Sequence, residues 1–144
     1  MTEKDLIQKT KAALDHKRLE PENLFLFHLL DFNFIYGENE QTCTVECPVT
    51  EPMLNPIGTV HGGIYTYIAD TAMGHLNFKF KDAPYVALEL KTSYFKTVSD
   101  GKIFATARYS KNGYKVAFLE CVITNEQNET LCVTSGTFYR YEKK

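Results

Sequence analysis

Asn55-Pro-Ile-Gly-Thr-Val-His61-Gly62-Gly63-Ile-Tyr-Thr-Tyr-Ile-Ala-Asp70 is the stretch on which the reading of this chain turns. It puts two glycines, Gly62 and Gly63, at the start of an expected helix and one carboxylate, Asp70, two turns inside it. A helix start carries unpaired N–H groups and the positive end of the helix dipole, which suits a developing oxyanion. Asp70 stands among Ile64, Tyr67, Ile68, Ala69 and Ala72. A carboxylate is costly to bury in such company unless something needs it there. Oxyanion donors with a base in reach are the parts of an acyl-transfer site.

Outward from this stretch, the helix is expected to run from Gly62 or Gly63 to about Lys79, with apolar residues nearly all round, as in a helix enclosed by other elements. Thr66, Asp70 and Asn77, with small Gly74 between the last two, are expected on one polar stripe. After Asp82-Ala83-Pro84 the pattern changes to period two. Residues 86–95, 102–110, 114–125 and 130–141 read as strands, with turns at Ser99-Asp100-Gly101, Lys111-Asn112-Gly113 and Asn125 to Glu129. Asn112-Gly113 is the strongest short hairpin signal in the chain. Three such turns in a row predict an antiparallel meander.

Before the quoted stretch, residues 31–36 and 41–49 read as two strands joined at Gly37 to Glu40, and Glu51 to Gly58 as a loop. Asp5 to Leu19 reads as a first helix, with Thr2 as N-cap and Asp5 placed for a capping box. Pro21 suits the first turn of a short apolar segment, Leu24 to Leu30. The expected fold class is α+β: an antiparallel sheet of about six strands wrapped around a central helix. The 144 residues form one domain, with residues 1–30 as a helical N-terminal extension.

Composition narrows the function. The net charge of -2 gives no overall basic footprint for nucleic acid. No apolar run reaches about 18 residues, so no membrane span is expected. Met-Thr-Glu-Lys-Asp places acids where a signal peptide carries basic and then apolar residues, which favours a cytoplasmic protein. Cys43, Cys47, Cys121 and Cys132 match no metal or redox spacing and are expected to be buried free thiols, with Cys43 and Cys47 on one face. No P-loop, dinucleotide fingerprint, serine-hydrolase elbow or zinc motif is present.

The pattern Asn55, a gap, Gly58-Thr-Val-His61-Gly62-Gly63, then Asp70 nine residues after the histidine, resembles the hotdog-fold acyl-CoA thioesterases of the phenylacetate-pathway (PaaI-like) type. The resemblance extends from about Pro48 to Tyr141 and includes Tyr94, the Asp100-Gly101 turn, Gly113 and Gly136-Thr137-Phe138. It implies a hotdog fold, a dimer or dimer of dimers, and an acyl-CoA thioester as substrate, with coenzyme A as part of that substrate and no separate cofactor. By this similarity Asp70 is the catalytic carboxylate, Gly62 gives its backbone N–H to the thioester oxygen, Asn55 holds the carbonyl or attacking water, and His61 sits beside them as a structural or polarising residue. Asn55 and Gly62 of one subunit would face Asp70 of the other. Gly63, Thr71, Lys111 and Lys115 are the candidate substrate-binding positions, the two lysines flanking a hairpin where they could meet CoA phosphates or simply solvate the turn. Two positions depart from the pattern. Ala87 stands where many relatives carry Ser or Thr, with Thr92 and Ser93 further along, and Tyr114 replaces a basic residue after the hairpin glycine.

The chemistry is coherent without the family. Thiols titrate near pH 8.5, so a thiolate leaves without strong acid help. What remains is to activate water and to stabilise the oxyanion, with Asp70 acting as base or as nucleophile. Other readings are open at this level. Asp70 could be a structural carboxylate capped by Thr66 or Thr71. Tyr65, Tyr67 and Phe78 read as core or interface, and His16 and His28 as surface or packing residues. His61, Asp70 and His75 could be imagined as metal ligands, but Asp70 and His75 diverge on a helix, so no metal is expected. A non-catalytic acyl-CoA or lipid-binding protein and a hotdog hydratase are the competing functions.

Overall fold

The computed structural model describes residues 1–15 and 21–143. Helix α1, Glu3–Leu14, begins with the expected capping box. The Asp5 N–H donates to Thr2 Oγ1 at 3.2 Å, and the Thr2 N–H donates to the Asp5 carboxylate at 2.8 Å. The part of the expected first helix beyond Asp15, with His16, lies outside the described residues. Helix α2 is short, Phe25–Leu29, and its N-cap is Leu24. Pro21 therefore sits in a turn ahead of this helix rather than in its first turn.

Strands β1 (Asn33–Gly37) and β2 (Thr42–Pro48) form the first hairpin, then helix α3 spans Gly62–Phe80. Strands β3 (Tyr85–Tyr94), β4 (Lys102–Lys111), β5 (Val116–Asn125) and β6 (Thr130–Arg140) follow. All six form one antiparallel sheet in the order β1-β2-β4-β5-β6-β3. Only β4, β5 and β6 make successive hairpins, which corrects the four-strand meander. β3 lies at the far edge against β6, and residues 95–101 cross back to β4. This segment is bonded where it crosses. The Phe95 and Lys96 N–H groups donate to Leu131 O, Val60 N–H to Val98 O and Val49 N–H to Gly101 O. Gly101, at φ 81°, makes the last bend.

The β4–β5 connection is also not confined to the expected Lys111-Asn112-Gly113 turn. Residues 112–115 form it, after a register shift between Tyr109 and Lys111, and Gly113 does not take a positive φ. Glycine is required there by space. A Cβ on it would run into the Val116 carbonyl oxygen.

Period-two patterning builds the core. Cys43, Val45 and Cys47 of β2, Ile103, Ala105 and Ala107 of β4, and Ala117, Leu119, Cys121 and Ile123 of β5 are buried on the face toward α3. The alanines let the helix approach the sheet closely. From α3 come Tyr65, Ile68, Ala69, Ala72, Met73 and Leu76, all buried. The four cysteines are free and buried, and burial pushes the Cys43, Cys47 and Cys132 thiols up to about 12. Asn77 leaves the expected polar stripe. It is 1% exposed, and its Oδ1 accepts from the Tyr109 hydroxyl at 3.1 Å. Phe78, read as core or interface, is 55% exposed. No helix among the described residues is long and apolar enough to cross a membrane.

Candidate active site

The loop before α3 is organised by Asn55. Its Oδ1 accepts from the Ile57 and Thr59 N–H groups, each at 3.1 Å, and its Nδ2 donates to Thr59 Oγ1 at 2.9 Å. Asn and Asp close such turns because the short side chain reaches backbone two residues on. Gly58 completes the turn at φ 84°. One Nδ2 hydrogen of Asn55 remains for another acceptor.

His61 is the N-cap of α3. Its backbone is extended, and its Nδ1 accepts the Gly63 N–H at 2.9 Å. The proton of the neutral ring is therefore on Nε2. Ile64 N–H donates to the His61 carbonyl. Among the first-turn amides this leaves Gly62 N–H with no partner among the described residues. A free amide at the positive end of a helix about 28 Å long is a ready donor for an oxyanion. Gly63, by contrast, has its N–H occupied by His61.

Tyr94 of β3 closes over Gly62. Its hydroxyl donates to Gly62 O at 2.7 Å and lies 3.0 Å from Thr66 Oγ1. A Cβ on Gly62 would meet the Tyr94 ring at 3.1 Å. The hydroxyls continue from Thr66 to Thr92 at 3.0 Å and from Thr92 to Thr134 at 2.8 Å. A cleft of about 350 Å³ opens here, lined among others by Asn55, Gly62, Tyr94, Phe95 and Lys96. Sequence reasoning left Phe95 and Lys96 out. They lie beyond β3 on the crossing segment, and only the strand order brings that segment to the helix start.

Asp70 is half-buried on the open side of α3. It makes no hydrogen bond among the described residues, and burial alone raises its carboxyl above the ordinary range. The structural reading in which Thr66 or Thr71 caps it is not what the molecule does. Thr66 is bonded to Thr92 and Tyr94, and Thr71 Oγ1 donates to the Tyr67 carbonyl at 2.8 Å. Thr71 is itself buried, 9% exposed. Ala87 pairs with Phe138 on β6 and supplies no hydroxyl; the nearest on its strand that faces α3 is Thr92.

Within one chain Asn55, Gly62, His61 and Gly63 come together, and Asp70 does not join them. It lies eight residues further along α3, roughly 12 Å along the axis. Lys111 and Lys115 flank the β4–β5 connection at the opposite end of the helix, where Lys81 Nζ donates to Gly113 O at 2.9 Å. His28 lies beside Asn23, with Nε2 3.0 Å from Oδ1. Among the described residues no three of His, Cys, Asp and Glu gather as a metal site.

Residues 57–132 match the family model of the thioesterase superfamily. A Listeria monocytogenes protein named 1,4-dihydroxy-2-naphthoyl-CoA hydrolase is 28% identical over 102 residues, 69% of this chain and 83% of the relative. The BH2602 protein of Bacillus halodurans, solved with CoA, superposes with a TM-score of 0.84 at 24% identity, over 100% of this chain and 97% of that one. The PaaI protein of the E. coli phenylacetic acid degradation operon gives 0.77 at 23% identity, over 94% and 98%. The chain belongs to the thioesterase superfamily, its sheet around one helix is the hotdog fold, and it is a thioester hydrolase.

Proposed function

We propose that this protein hydrolyses an acyl-CoA thioester to the free acid and CoA. The observation that carries the reading is the pairing on one helix of an unpartnered Gly62 N–H and an unpartnered, half-buried Asp70 carboxylate. The Gly62 amide receives the oxygen of the tetrahedral intermediate. Asp70 takes the proton of the attacking water, or attacks the carbonyl itself to give an anhydride that water opens. The thiolate of CoA leaves without an acid. The CoA hydrolase name of the Listeria relative and the CoA held by the Bacillus neighbour support the choice of thioester.

The separation of Gly62 and Asp70 within one chain favours a site completed by a second copy. β3 supports that assembly. It is a ten-residue edge strand with one backbone side unpaired and with Val86, Leu88 and Tyr94 exposed. Such edges invite pairing. In this assembly Asn55 steadies the carbonyl or the water through its remaining Nδ2 hydrogen, and Lys111 and Lys115 of one copy meet CoA phosphates. The buried thiols fit a cytoplasmic setting.

The test is thiol release from an acyl-CoA panel. Asp70→Asn is expected to lower kcat by about 10²–10⁴-fold with the fold intact. Full activity in that variant removes Asp70 from the reaction.

A further inference from the structure

α2 and the residues before it form one wall of a second cleft, of about 340 Å³, lined by Leu24, Phe25, Leu26 and Tyr67. Tyr67 is on α3, three residues before Asp70, and the Asp70 charge acts on its hydroxyl. Residues three apart lie on the same face of a helix, so the cleft borders the face of α3 that carries the carboxylate. All four lining residues are apolar or aromatic, and Leu24 and Leu26 are 38% and 44% exposed. The wall is held from behind. Phe27 is 5% exposed and packs on Phe32 and Phe34 with ring centroids at 5.5 Å. His75 of α3 stacks on Phe34 at 4.2 Å, and its two ring nitrogens each lie 3.0 Å from a carbonyl oxygen, of Thr71 and of Pro21. The central helix thus grips the N-terminal segment and fixes where Leu24 and Leu26 stand.

We propose that this cleft receives the apolar tail of the acyl group, so that the N-terminal extension selects acyl length. The inference rests on the acyl-CoA reading above. A cleft of about 340 Å³ is at the low end of ligand pockets, which run from about 300 to 1,000 Å³. It suits a medium-length acyl chain better than a long one.

The experiment compares wild type with Leu26→Trp and Leu24→Trp, which fill the cleft from exposed positions, and with Leu14→Trp, exposed on α1 outside it. kcat/KM is measured for acetyl-, hexanoyl- and decanoyl-CoA. Binding of the uncleavable S-ethyl, S-hexyl and S-decyl CoA thioethers is measured by calorimetry. Filling the cleft is expected to lower hexanoyl and decanoyl turnover by at least about tenfold while acetyl turnover is kept, and to weaken the longer thioethers in parallel. Leu14→Trp leaves the profile unchanged. An unchanged or uniformly lowered profile in the cleft variants overturns the proposal. So does dissociation of an oligomer by Leu26→Trp, which makes the cleft a subunit contact. If no thioester is cleaved but the thioethers bind with this length dependence, the hydrolysis reading fails and the cleft assignment stands. If none binds, both fall.

Discussion

At the scale of single residues, Asp70 costs stability at the place where the proposed chemistry needs it. Burial without a partner raises the Asp70 carboxyl, so the folded chain holds that proton to higher pH than the unfolded chain does. Between the two values stability falls as pH rises, and above them the cost of an ionised, half-buried group is present in full. Asp70→Asn is therefore expected to raise Tm at neutral pH. The gain should fade as the pH drops toward the ordinary carboxyl value of 3.8, as thermal melts across a pH series would record. Gly62 allows a cleaner separation. It is the first residue of α3, and His61 before it is extended at ψ 135°, a conformation that accepts a following proline. Gly62→Pro removes the free N–H and Gly62→Ala keeps it, while both add a Cβ near the Tyr94 ring. Steady-state kinetics should show the proline variant slower than the alanine variant by about 10²–10³-fold, with similar melts. Equal rates would mean that this amide does not serve the oxyanion.

At the scale of elements, the sequence pattern fixed which segments are helix and which are strand, but not how each connection is made. Alternation along β2, β4 and β5 and the all-round apolar helix are local signals, and each of these four elements appears within a few residues of its expected span. The Asn112-Gly113 signal marks a reversal but not its kind. The bulge after Tyr109 lengthens the connection to four residues, and Lys81, lying between the Tyr85 and Tyr109 rings at 5.0 and 5.2 Å, ties it to the end of α3. Space, not φ, then demands the glycine. Gly113→Ala drives a methyl into the Val116 carbonyl and is expected to cost roughly 1–3 kcal/mol in a denaturant titration. An Asn-Gly turn at positive φ would have been indicated by strain alone, with open space around the Cβ, as at Gly58.

For the whole molecule, the strand order is what places the site. Sending β3 to the edge beside β6 brings Tyr94, Phe95 and Lys96 to the start of α3, and leaves a ten-residue backbone edge without a neighbour. Asp70 is about 12 Å further along the helix than Gly62, and the proposed function therefore needs two copies to complete each site. Mixing Asp70→Asn with Gly62→Pro, each nearly inactive alone, is expected to restore roughly a quarter of wild-type activity once subunits exchange, because half of the dimers are mixed and each carries one intact site. Sedimentation at several concentrations would follow the exchange. No recovery in demonstrably mixed dimers would place the whole site within one chain.

The sequence by itself determined the element types, the central helix, and the placing of Gly62 and Asp70 on it. These follow from periodicity, glycine and charge, which act over a turn or two of chain. Only the tertiary structure decided that Asn77 would be buried on Tyr109 and that α2 would be held by His75 beside Tyr67, whereas the His61 cap on the Gly63 amide is a contact two residues long. Each of those outcomes depends on which partner a polar group or side-chain face meets. For Asn77 and α2 that partner is 32 and 54 residues away in sequence, a relation set by the order of strands and the packing around α3.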